Sequence, residues 1–355
     1  MDFSITPDQT LMQDSLVRSL APLDRVRAYA GNVQDPGDDL WQAMTEFGLP
    51  GLLIPETYGG LGLGLLDAAL MAQALGQGIS PVPFLGTCIL APLALLGSGS
   101  PEQQSHWLPA LARGDVRVAA ALSEPIAGVR EGAGVSLNHG KLSGKALFVE
   151  GGLTADLILV VDQGGGLHLV AGDSAGLTRA AMTSIDQTRR LAELSFDQVT
   201  SDPLPGPSCL TRLRDAAWVI LAADSLGACD AMLEKAVAYA KERKQFGRVI
   251  GSFQAVKHLC AEMAAEIEPM RSLIWYAAYA FDEAPAEASL MAAHAKAHSS
   301  EIGRFVARTA TEVHGGMGIT DLLGLHFWFK RLGLNRQWFG SPERVREAAA
   351  AIQGF

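Results

Sequence analysis

The spacing of apolar residues divides the chain into a helical beginning, a strand-rich middle and a helical end. Up to about residue 118, leucines such as Leu11, Leu16 and Leu20 recur at helical spacing, which is the pattern of an amphipathic helix. Proline and capping residues mark where such helices start. The predicted helices begin at Pro7, after Gly37, at Leu65, after Pro83 and at Pro101. We therefore predict a helical N-terminal domain over residues 1–118.

From about Asp115 the pattern changes to short apolar runs separated by turn residues, which is typical of β-strands. The sequence Asn138-His139-Gly140 predicts the turn of a hairpin between two of these runs. The predicted strands lie at 117–123, 135–137, 141–149, 156–161, 167–171 and 194–199. Together they indicate a middle domain of antiparallel sheet over residues 119–205.

A proline-rich linker precedes the last part of the chain. Residues 201–207 carry three prolines, and prolines at this density exclude a helix. Beyond the linker, long apolar-rich helices are predicted at 213–241, 253–279 and 286–313. The later segment 322–333 is too apolar for a surface loop, so we expect it to fold back over something. These features predict a C-terminal helical domain over residues 206–355.

Composition narrows the class of protein. The formal net charge is −10, from 28 Lys and Arg against 38 Asp and Glu. Because nucleic acids are bound by clustered Lys and Arg, and no basic run is present, we predict no nucleic-acid partner. The four cysteines are Cys88, Cys209, Cys229 and Cys260. Their scattered positions suit a reducing cytoplasm better than disulfides or zinc, and we predict no metal site.

The sequence also bears on targeting. The chain starts with Met1-Asp2-Phe3-Ser4, without the basic region of a signal peptide. Gly, Pro or polar residues interrupt the longest apolar runs well short of a membrane span. We therefore predict a cytoplasmic protein with no membrane span.

Two stretches suit a ligand that carries phosphates. In Arg243-Lys244-Gln245-Phe246-Gly247, Arg243 can pair with a pyrophosphate and Phe246 offers a face to an adenine. The alternative is a basic helix end that only balances the helix dipole in solvent. In the second stretch, Gly315 and Gly316 leave backbone N–H groups accessible to a phosphate. Alone this signal is weak, because helices commonly end in Gly.

A third motif points elsewhere. Residues 172–176 match the Gly-x-Ser-x-Gly pattern of a nucleophilic serine, here Ser174. That motif needs a strand before it and a helix after it. The sequence after Gly176 is short and bounded by turns, and the only candidate oxyanion loop follows the serine instead of preceding it. An esterase is therefore the less favoured interpretation.

Four motifs occur together in a recognisable order. They are the Ile54-Pro55-Glu56-x-Tyr58-Gly59-Gly60-x-Gly62 loop, Leu122-Ser123-Glu124-Pro125, Arg243-x-Gln245-Phe246-Gly247 and His314-Gly315-Gly316-x-Gly318. In order, spacing and helix–sheet–helix plan, the whole chain resembles the acyl-CoA dehydrogenase family. The resemblance implies an α+β multidomain fold, with a helical N-domain, a middle β-barrel-like sheet domain and a C-terminal four-helix bundle that forms tetramers.

The resemblance also implies a cofactor and a reaction. FAD would lie between subunits, and the segment 322–333 would fold back over it. The reaction would be α,β-dehydrogenation of an acyl-CoA thioester, with electrons passed to an electron-transfer flavoprotein or a similar acceptor. Arg243 and Phe246 would contact a neighbouring subunit's FAD, and Gly315 and Gly316 would cradle its pyrophosphate. The other implied cofactor residues are Ser123 near the flavin ring, Gln254 and Ser341 near the dinucleotide, and Glu312, where Gln is common.

The same resemblance exposes a departure. The reaction needs a general base to remove the α-proton, and most members carry a Glu in a late Glu-Gly-Thr turn. Here that position is Phe339, in Phe339-Gly340-Ser341. Other members place the Glu ten residues before a Leu-Gly, which corresponds to Ala217 here. The usual base is therefore absent.

Three explanations stay open. The chain is one subunit of an α2β2 heterotetramer whose partner supplies the base, as in bacterial enzymes that act on bulky thioesters such as sterol side chains. Alternatively, it is a homotetramer with a relocated base. The third possibility is other flavin chemistry on this fold, such as an oxidase or monooxygenase, or a catalytically silent scaffold. The candidates for a relocated base are Asp215, Asp224, Glu242 and Glu343.

Overall fold

The computed structural model describes residues 5–355 and has the predicted order of helices, sheet and helices. The first helix starts with the expected capping box. The hydroxyl of Thr6 accepts a hydrogen bond from the Gln9 backbone N–H at 3.2 Å, and the Gln9 side chain accepts one from the Thr6 N–H at 2.9 Å. The N-terminal helices are α1 (Pro7–Ser19), α2 (Leu23–Gly31), α3 (Asp38–Glu46), α4 (Leu65–Gln77), α5 (Ala91–Ser98) and α6 (Pro101–Ala112).

Two of these helices differ from the sequence prediction. Helix α2 was not predicted, because it starts after Pro22 without a side-chain cap and is only nine residues long. Helix α5 is preceded by a wider helical turn, Phe84–Leu90, so the predicted helix after Pro83 has two parts. Predictions that fall on residues 1–4 lie outside the described residues.

The middle region consists of two four-stranded sheets rather than a closed barrel. One sheet has the order β1-β4-β5-β8 and the other β2-β3-β7-β6. The strands are β1 (Val118–Ala121), β2 (Gly134–Asn138), β3 (Lys141–Glu150), β4 (Leu157–Val161), β5 (Leu167–Ala171), β6 (Leu177–Met182), β7 (Leu191–Thr200) and β8 (Asp202–Pro203), with helix α7 (Ser123–Ala127) after β1. The hairpin of β2 and β3 is confirmed, and His139 and Gly140 have positive φ at its turn.

Three details of this region correct the sequence analysis. Strand β1 pairs with β4 in parallel, so the sheets are not purely antiparallel. The strand predicted at 117–123 ends at Ala121, and Ser123 already starts α7. Strand β6 was missed because its burial alternates only weakly and its residues include Ala180 and Ala181, which have little strand preference.

Strand β6 also argues against the esterase interpretation of Ser174. Ser174 lies in the turn between β5 and β6, so a strand follows it where a nucleophilic serine needs a helix. A different Ser–His–Asp chain has a structural role. His168 contacts the Asp162 carboxylate at 2.8 Å and the Ser201 hydroxyl at 3.1 Å. These contacts fasten the start of the linker to the hairpin of β4 and β5.

The C-terminal region is built around α8, which packs against α4, α9, α10 and α11. Its elements are α8 (Leu210–Glu242), β9 (Lys244–Gln245), β10 (Arg248–Val249), α9 (Gln254–Glu283), α10 (Pro285–His314), α11 (Leu325–Gln337) and α12 (Pro342–Ile352). Within residues 5–355, α8 alone is long and apolar enough to cross a membrane, but 89% of its most apolar window is buried inside the protein. Such burial is what a core helix requires.

The fold-back of 322–333 is confirmed, but its partner differs from the expected one. The segment forms most of α11, which packs on α8 and α10 of the same chain. Its apolar residues Leu325, Phe327 and Trp328 are buried there. Contacts within the chain therefore account for its apolar character, and a flavin beneath it is not needed.

Candidate cofactor site and the position of the missing base

The corner after α8 is a tight hairpin. Strands β9 and β10 pair in antiparallel, and Phe246 and Gly247 form the connecting turn with φ values of 52° and 78°. Two successive positive φ angles define a two-residue turn that twists with its strands. The turn projects the Phe246 side chain outward, so that it is 91% exposed. Arg243, at the end of α8, is also exposed. This geometry leaves the Phe246 ring and the Arg243 guanidinium accessible to a ligand.

The glycine turn after α10 is equally open. Gly315 has a φ of 57°, and a Cβ added at Gly315 or Gly316 would meet nothing within 4 Å. Both residues and Glu312 are exposed. Since no other part of the chain covers these glycines, packing within the chain does not explain them. A phosphate can approach backbone this open.

The remaining cofactor candidates vary in how available they are. Ser123 is buried, and its hydroxyl has no hydrogen-bond partner within the described residues. Such an orphaned buried hydroxyl calls for an explanation, and a bound polar ring would supply one. Gln254 is exposed and contacts His258 at 3.0 Å. Ser341 is the N-cap residue of α12, but its side chain makes no capping hydrogen bond to the helix backbone. Together with the open corner and turn, these residues fit FAD.

The position of the usual base is filled by aromatic side chains. We call Trp218, Trp338 and Phe339 the aromatic cluster. Phe339 is 1% exposed and has a φ of 56°. The indole N–H of Trp218 donates to the carbonyl oxygen of Phe339 at 2.8 Å, and the rings of Trp338 and Phe339 lie 5.0 Å apart. Ala217, the alternative base position, is fully buried.

Asp224 belongs to a buried ion cluster and is not a suitable base. Both of its oxygens accept from Arg331, at 3.0 and 2.8 Å, and Arg189 lies at 3.0 Å. Burial alone would raise the pKa of Asp224, but the charges of Arg189 and Arg331, with hydrogen bonds, lower it to about 2. An acid this strong is a poor proton acceptor near neutral pH.

Asp215 is also held by neighbours inside the chain. Burial raises its pKa, opposed by the hydrogen bond from Ser289 and by the nearby Arg214. The Arg214 guanidinium donates to one Asp215 oxygen at 2.7 and 2.9 Å, and the Ser289 hydroxyl donates to the other. Both oxygens are therefore already engaged, and a substrate proton would have to displace these donors.

Glu242 and Glu343 are exposed. The Glu343 carboxylate lies 3.2 Å from Arg336. Its own backbone N–H, the Ser341 hydroxyl and Arg336 lower the pKa of Glu343, as expected near the start of a helix. Glu242 and Glu343 therefore lie in solvent, whereas Asp215 and Asp224 are buried but already accept hydrogen bonds from donors of the same chain.

Three further members of this buried polar region, Glu150, Arg189 and Lys296, were not predicted from the sequence. Glu150 lies 3.3 Å from Arg189, and burial raises the pKa of Glu150. Lys296 is buried, and its ammonium group donates to the Asn335 carbonyl at the end of α11. Burial and the nearby Arg336 and Arg189 lower the pKa of Lys296 to about 7. The sequence signal that could have revealed this region is a charged residue inside an otherwise apolar helix, such as Asp224 in α8.

We call Asp224, Arg189, Arg331, Asn335 and Glu150 the ion cluster. It joins β3, the loop before β7, α8 and α11. Arg189 also lies over the Trp338 ring, 5.2 Å from its centroid. The ion cluster and the aromatic cluster are therefore continuous. No group of three or more His, Cys, Asp or Glu side chains that could hold a metal ion occurs among residues 5–355.

Known proteins are similar to this chain in both sequence and fold. Residues 6–115 match the family description "Acyl-CoA dehydrogenase, N-terminal domain", and residues 212–353 match "Acyl-CoA dehydrogenase, C-terminal domain". The chain is 34% identical over 339 residues to the acyl-CoA dehydrogenase IpdE2 of Mycobacterium tuberculosis (strain ATCC 25618 / H37Rv), an alignment that covers 93% of this chain and 92% of IpdE2.

Solved structures agree over the whole length. A chain of the ChsE4–ChsE5 complex from Mycobacterium tuberculosis superposes with a TM-score of 0.91 at 27% identity, and 100% of each chain is covered. A variant of the Tcur3481–Tcur3483 steroid ACAD superposes with a TM-score of 0.88 at 29% identity, covering 98% of this chain and 97% of that one. The chain therefore belongs to the acyl-CoA dehydrogenase family, whose members are FAD-dependent oxidoreductases.

Proposed function

We propose that this chain is one subunit of a heteromeric acyl-CoA dehydrogenase, in which a second subunit supplies the base that removes the α-proton. This proposal rests on the side chains that occupy the position of the usual base. Phe339 is packed against Trp218 and Trp338, and no alternative carboxylate among the four candidates is suitable. Because the reaction needs a base, a chain without one needs a partner that has one.

The chain's own contribution is cofactor binding. FAD supplies the hydride acceptor for the β-carbon of the thioester. Arg243 would balance the charge of its pyrophosphate, and Phe246 would stack on its adenine. Gly315 and Gly316 would offer backbone N–H groups to the same phosphates. The Ser123 hydroxyl, which has no hydrogen-bond partner within the described residues, would offer a donor or acceptor to the polar flavin ring.

The similar structures support both the assembly and a class of substrate. The ChsE4–ChsE5 structure is a complex of two different chains, and the Tcur3481–Tcur3483 structure is a steroid ACAD. We infer an α2β2 assembly that acts on a bulky, steroid-type acyl-CoA and passes electrons to an electron-transfer flavoprotein or a similar acceptor. A cytoplasmic location without a membrane span is part of the same proposal.

Co-expression with the neighbouring dehydrogenase gene tests the proposal. The chain is purified alone and with that gene's product, and each sample is examined for flavin absorbance and for bleaching by a panel of acyl-CoA thioesters. We expect bleaching only from the pair. In the pair, Arg243→Ala and Gly316→Val should release FAD, whereas Arg113→Ala, which removes an exposed arginine on α6's end, should not.

The other outcomes favour the alternatives. If the chain alone is yellow and is bleached by an acyl-CoA, the homotetramer with a relocated base is correct and the partner is not needed. If the pair forms but neither sample binds FAD, the chain is a scaffold. If the pair binds FAD and produces hydrogen peroxide from an acyl-CoA without any added acceptor, the activity is that of an oxidase.

A further inference from the structure

The helices that lead into the two proposed FAD-binding elements, α8 and α10, pack against each other, and an aromatic contact lies at the end of their interface nearest those elements. The rings of Tyr239 on α8 and His314 on α10 lie 4.7 Å apart, centroid to centroid, at an interplanar angle of 30°. Tyr239 belongs to the turn of helix that leads into the hairpin, because the Arg243 N–H donates to the Tyr239 carbonyl at 2.8 Å. His314 directly precedes Gly315. The contact between Tyr239 and His314 therefore lies between the helix turn before the hairpin and the residue before the glycine turn.

The His314 ring is fixed in place. It is buried, and its Nδ1 lies 2.7 Å from the Ala310 carbonyl oxygen one turn earlier in α10. A carbonyl only accepts, so Nδ1 carries the proton and donates. Burial lowers the pKa of His314, and the nearby positive charge of Lys235 on α8 lowers it further. The orientation of the ring is therefore set by the Ala310 carbonyl of its own helix, by the Lys235 backbone and by the Tyr239 ring on α8.

The far end of the glycine turn is anchored independently. Arg27 of α2 donates to the Asp321 carbonyl at 2.8 Å and pairs with the Asp321 carboxylate at 2.7 Å. Between His314 and Asp321 the backbone carries the open residues Gly315 and Gly316. The turn is therefore held on both sides, while the part that would meet a phosphate is left uncovered.

We propose that Tyr239 and His314 are positioning residues, which align the glycine turn with the Arg243–Gly247 hairpin so that both bind the same FAD. This inference rests on the proposed function, since it requires these two elements to bind FAD. Its physical basis is preorganisation. A ligand bound by two elements gains affinity when their relative orientation is fixed before binding. Neither ring needs to touch the cofactor for this effect.

The test measures FAD affinity in the assembled pair of subunits after the cofactor has been removed. FAD is titrated back and its fluorescence quenching is followed, in wild type and in Tyr239→Ala, His314→Ala, the double variant and Tyr239→Phe. We expect each alanine variant to raise the Kd for FAD about tenfold, and the double variant to match the single ones because all three lose one shared contact. Tyr239→Phe keeps the ring and should bind FAD as wild type does.

Two controls separate alignment from general stability. Ile274→Val removes a methylene from the buried core of α9, and His106→Ala removes a His–aromatic contact on α6 with ring centroids 4.6 Å apart. Both should leave the Kd for FAD unchanged, although Ile274→Val lowers the melting temperature. If Tyr239 and His314 align the two elements, their alanine variants raise the Kd for FAD. A variant that only lowers stability, such as Ile274→Val, does not.

The outcomes distinguish this inference from the proposed function. If Arg243→Ala and Gly316→Val abolish FAD binding but the Tyr239→Ala and His314→Ala variants bind FAD no more weakly than Ile274→Val, the positioning role is wrong and the proposed function stands. If Arg243→Ala and Gly316→Val leave FAD binding intact, the elements do not bind FAD and both proposals fail. A double variant that is additive would also overturn the shared role of the pair.

Discussion

The hairpin and glycine turn differ from the base position in what surrounds them. Phe246 at the hairpin is 91% exposed, and nothing lies within 4 Å of a Cβ placed on Gly316. Phe339 at the base position is 1% exposed and is bonded through its carbonyl to Trp218. Both regions belong to the same family framework. One is open to solvent, whereas the other is packed as a core.

This difference has a physical reason. An enclosed cavity without a ligand costs stability, and filling it with side chains recovers packing. The aromatic cluster packs side chains at the base position in that way. An exposed aromatic ring with positive φ gains almost nothing for folding. The exposure of the hairpin is therefore consistent with the proposed role of Phe246 in binding FAD.

Breaking the ion cluster should have the largest effect on stability. Asp224→Ala leaves Arg331 buried without its paired carboxylate and Arg189 paired with Glu150 alone, and loss of one partner of a buried pair costs about 3–5 kcal/mol. Urea unfolding followed by circular dichroism measures the free energy. Asp115→Ala, which breaks an exposed pair with Arg113, should cost less than about 1 kcal/mol. A similar, small loss for both variants would mean that the ion cluster contributes little.

Restoring a carboxylate at the base position tests whether the site is really closed. Phe339→Glu places a charge among packed rings, so we expect a loss of about 3 kcal/mol in the free energy of unfolding. The variant alone should not reduce its flavin on addition of an acyl-CoA. Phe339→Leu, the apolar control, should lose less stability. Reduction of the flavin by an acyl-CoA in the Phe339→Glu chain without a partner would show that the cavity is open.

The closed region should also respond to pH through Lys296. Its pKa of about 7 in the folded chain lies below the ordinary value of 10.5. Between these values the unfolded chain holds the proton and the folded chain does not, so stability rises with pH. The slope should reach about 1.4 kcal/mol per pH unit above pH 7. In Lys296→Met the free energy of unfolding should not show this rise between pH 7 and 9. The control Lys257→Met, which replaces an exposed lysine, should show the same rise as the wild type.

The open region should show the smallest change in stability together with a clear loss of binding. Gly316→Ala adds a Cβ to open space, so the free energy of unfolding should change by less than about 0.5 kcal/mol. The added Cβ stands where a phosphate would approach, so FAD binding should weaken. Gly333→Ala on α11 adds a Cβ to equally open space and should leave FAD binding unchanged. Equal FAD binding by both variants would contradict the comparison.

Much of the fold followed from local patterns in the sequence. The capping residues at Thr6, the turn at Asn138-His139-Gly140 and the long helices α8 to α10 are short-range features, and the structure confirms them. Helix α2 and strand β6 were missed because their local signals are weak and their stability comes from neighbours. The parallel pairing of β1 with β4 joins residues far apart in sequence, so no local pattern could indicate it.

The candidate site divides in the same way. The residue types at Arg243, Phe246, Gly315 and Gly316, and the absence of a Glu at Phe339 and Ala217, were readable from the sequence and identified the family. Their environments were not. Whether Phe339 faces a cavity or a packed ring, and whether Asp224 is a base or half of an ion pair, depends on residues more than 100 positions away, such as Trp218 and Arg331. Burial and charge pairing are properties of the folded chain, so only the tertiary structure decided that the base position is closed and the dinucleotide elements are open.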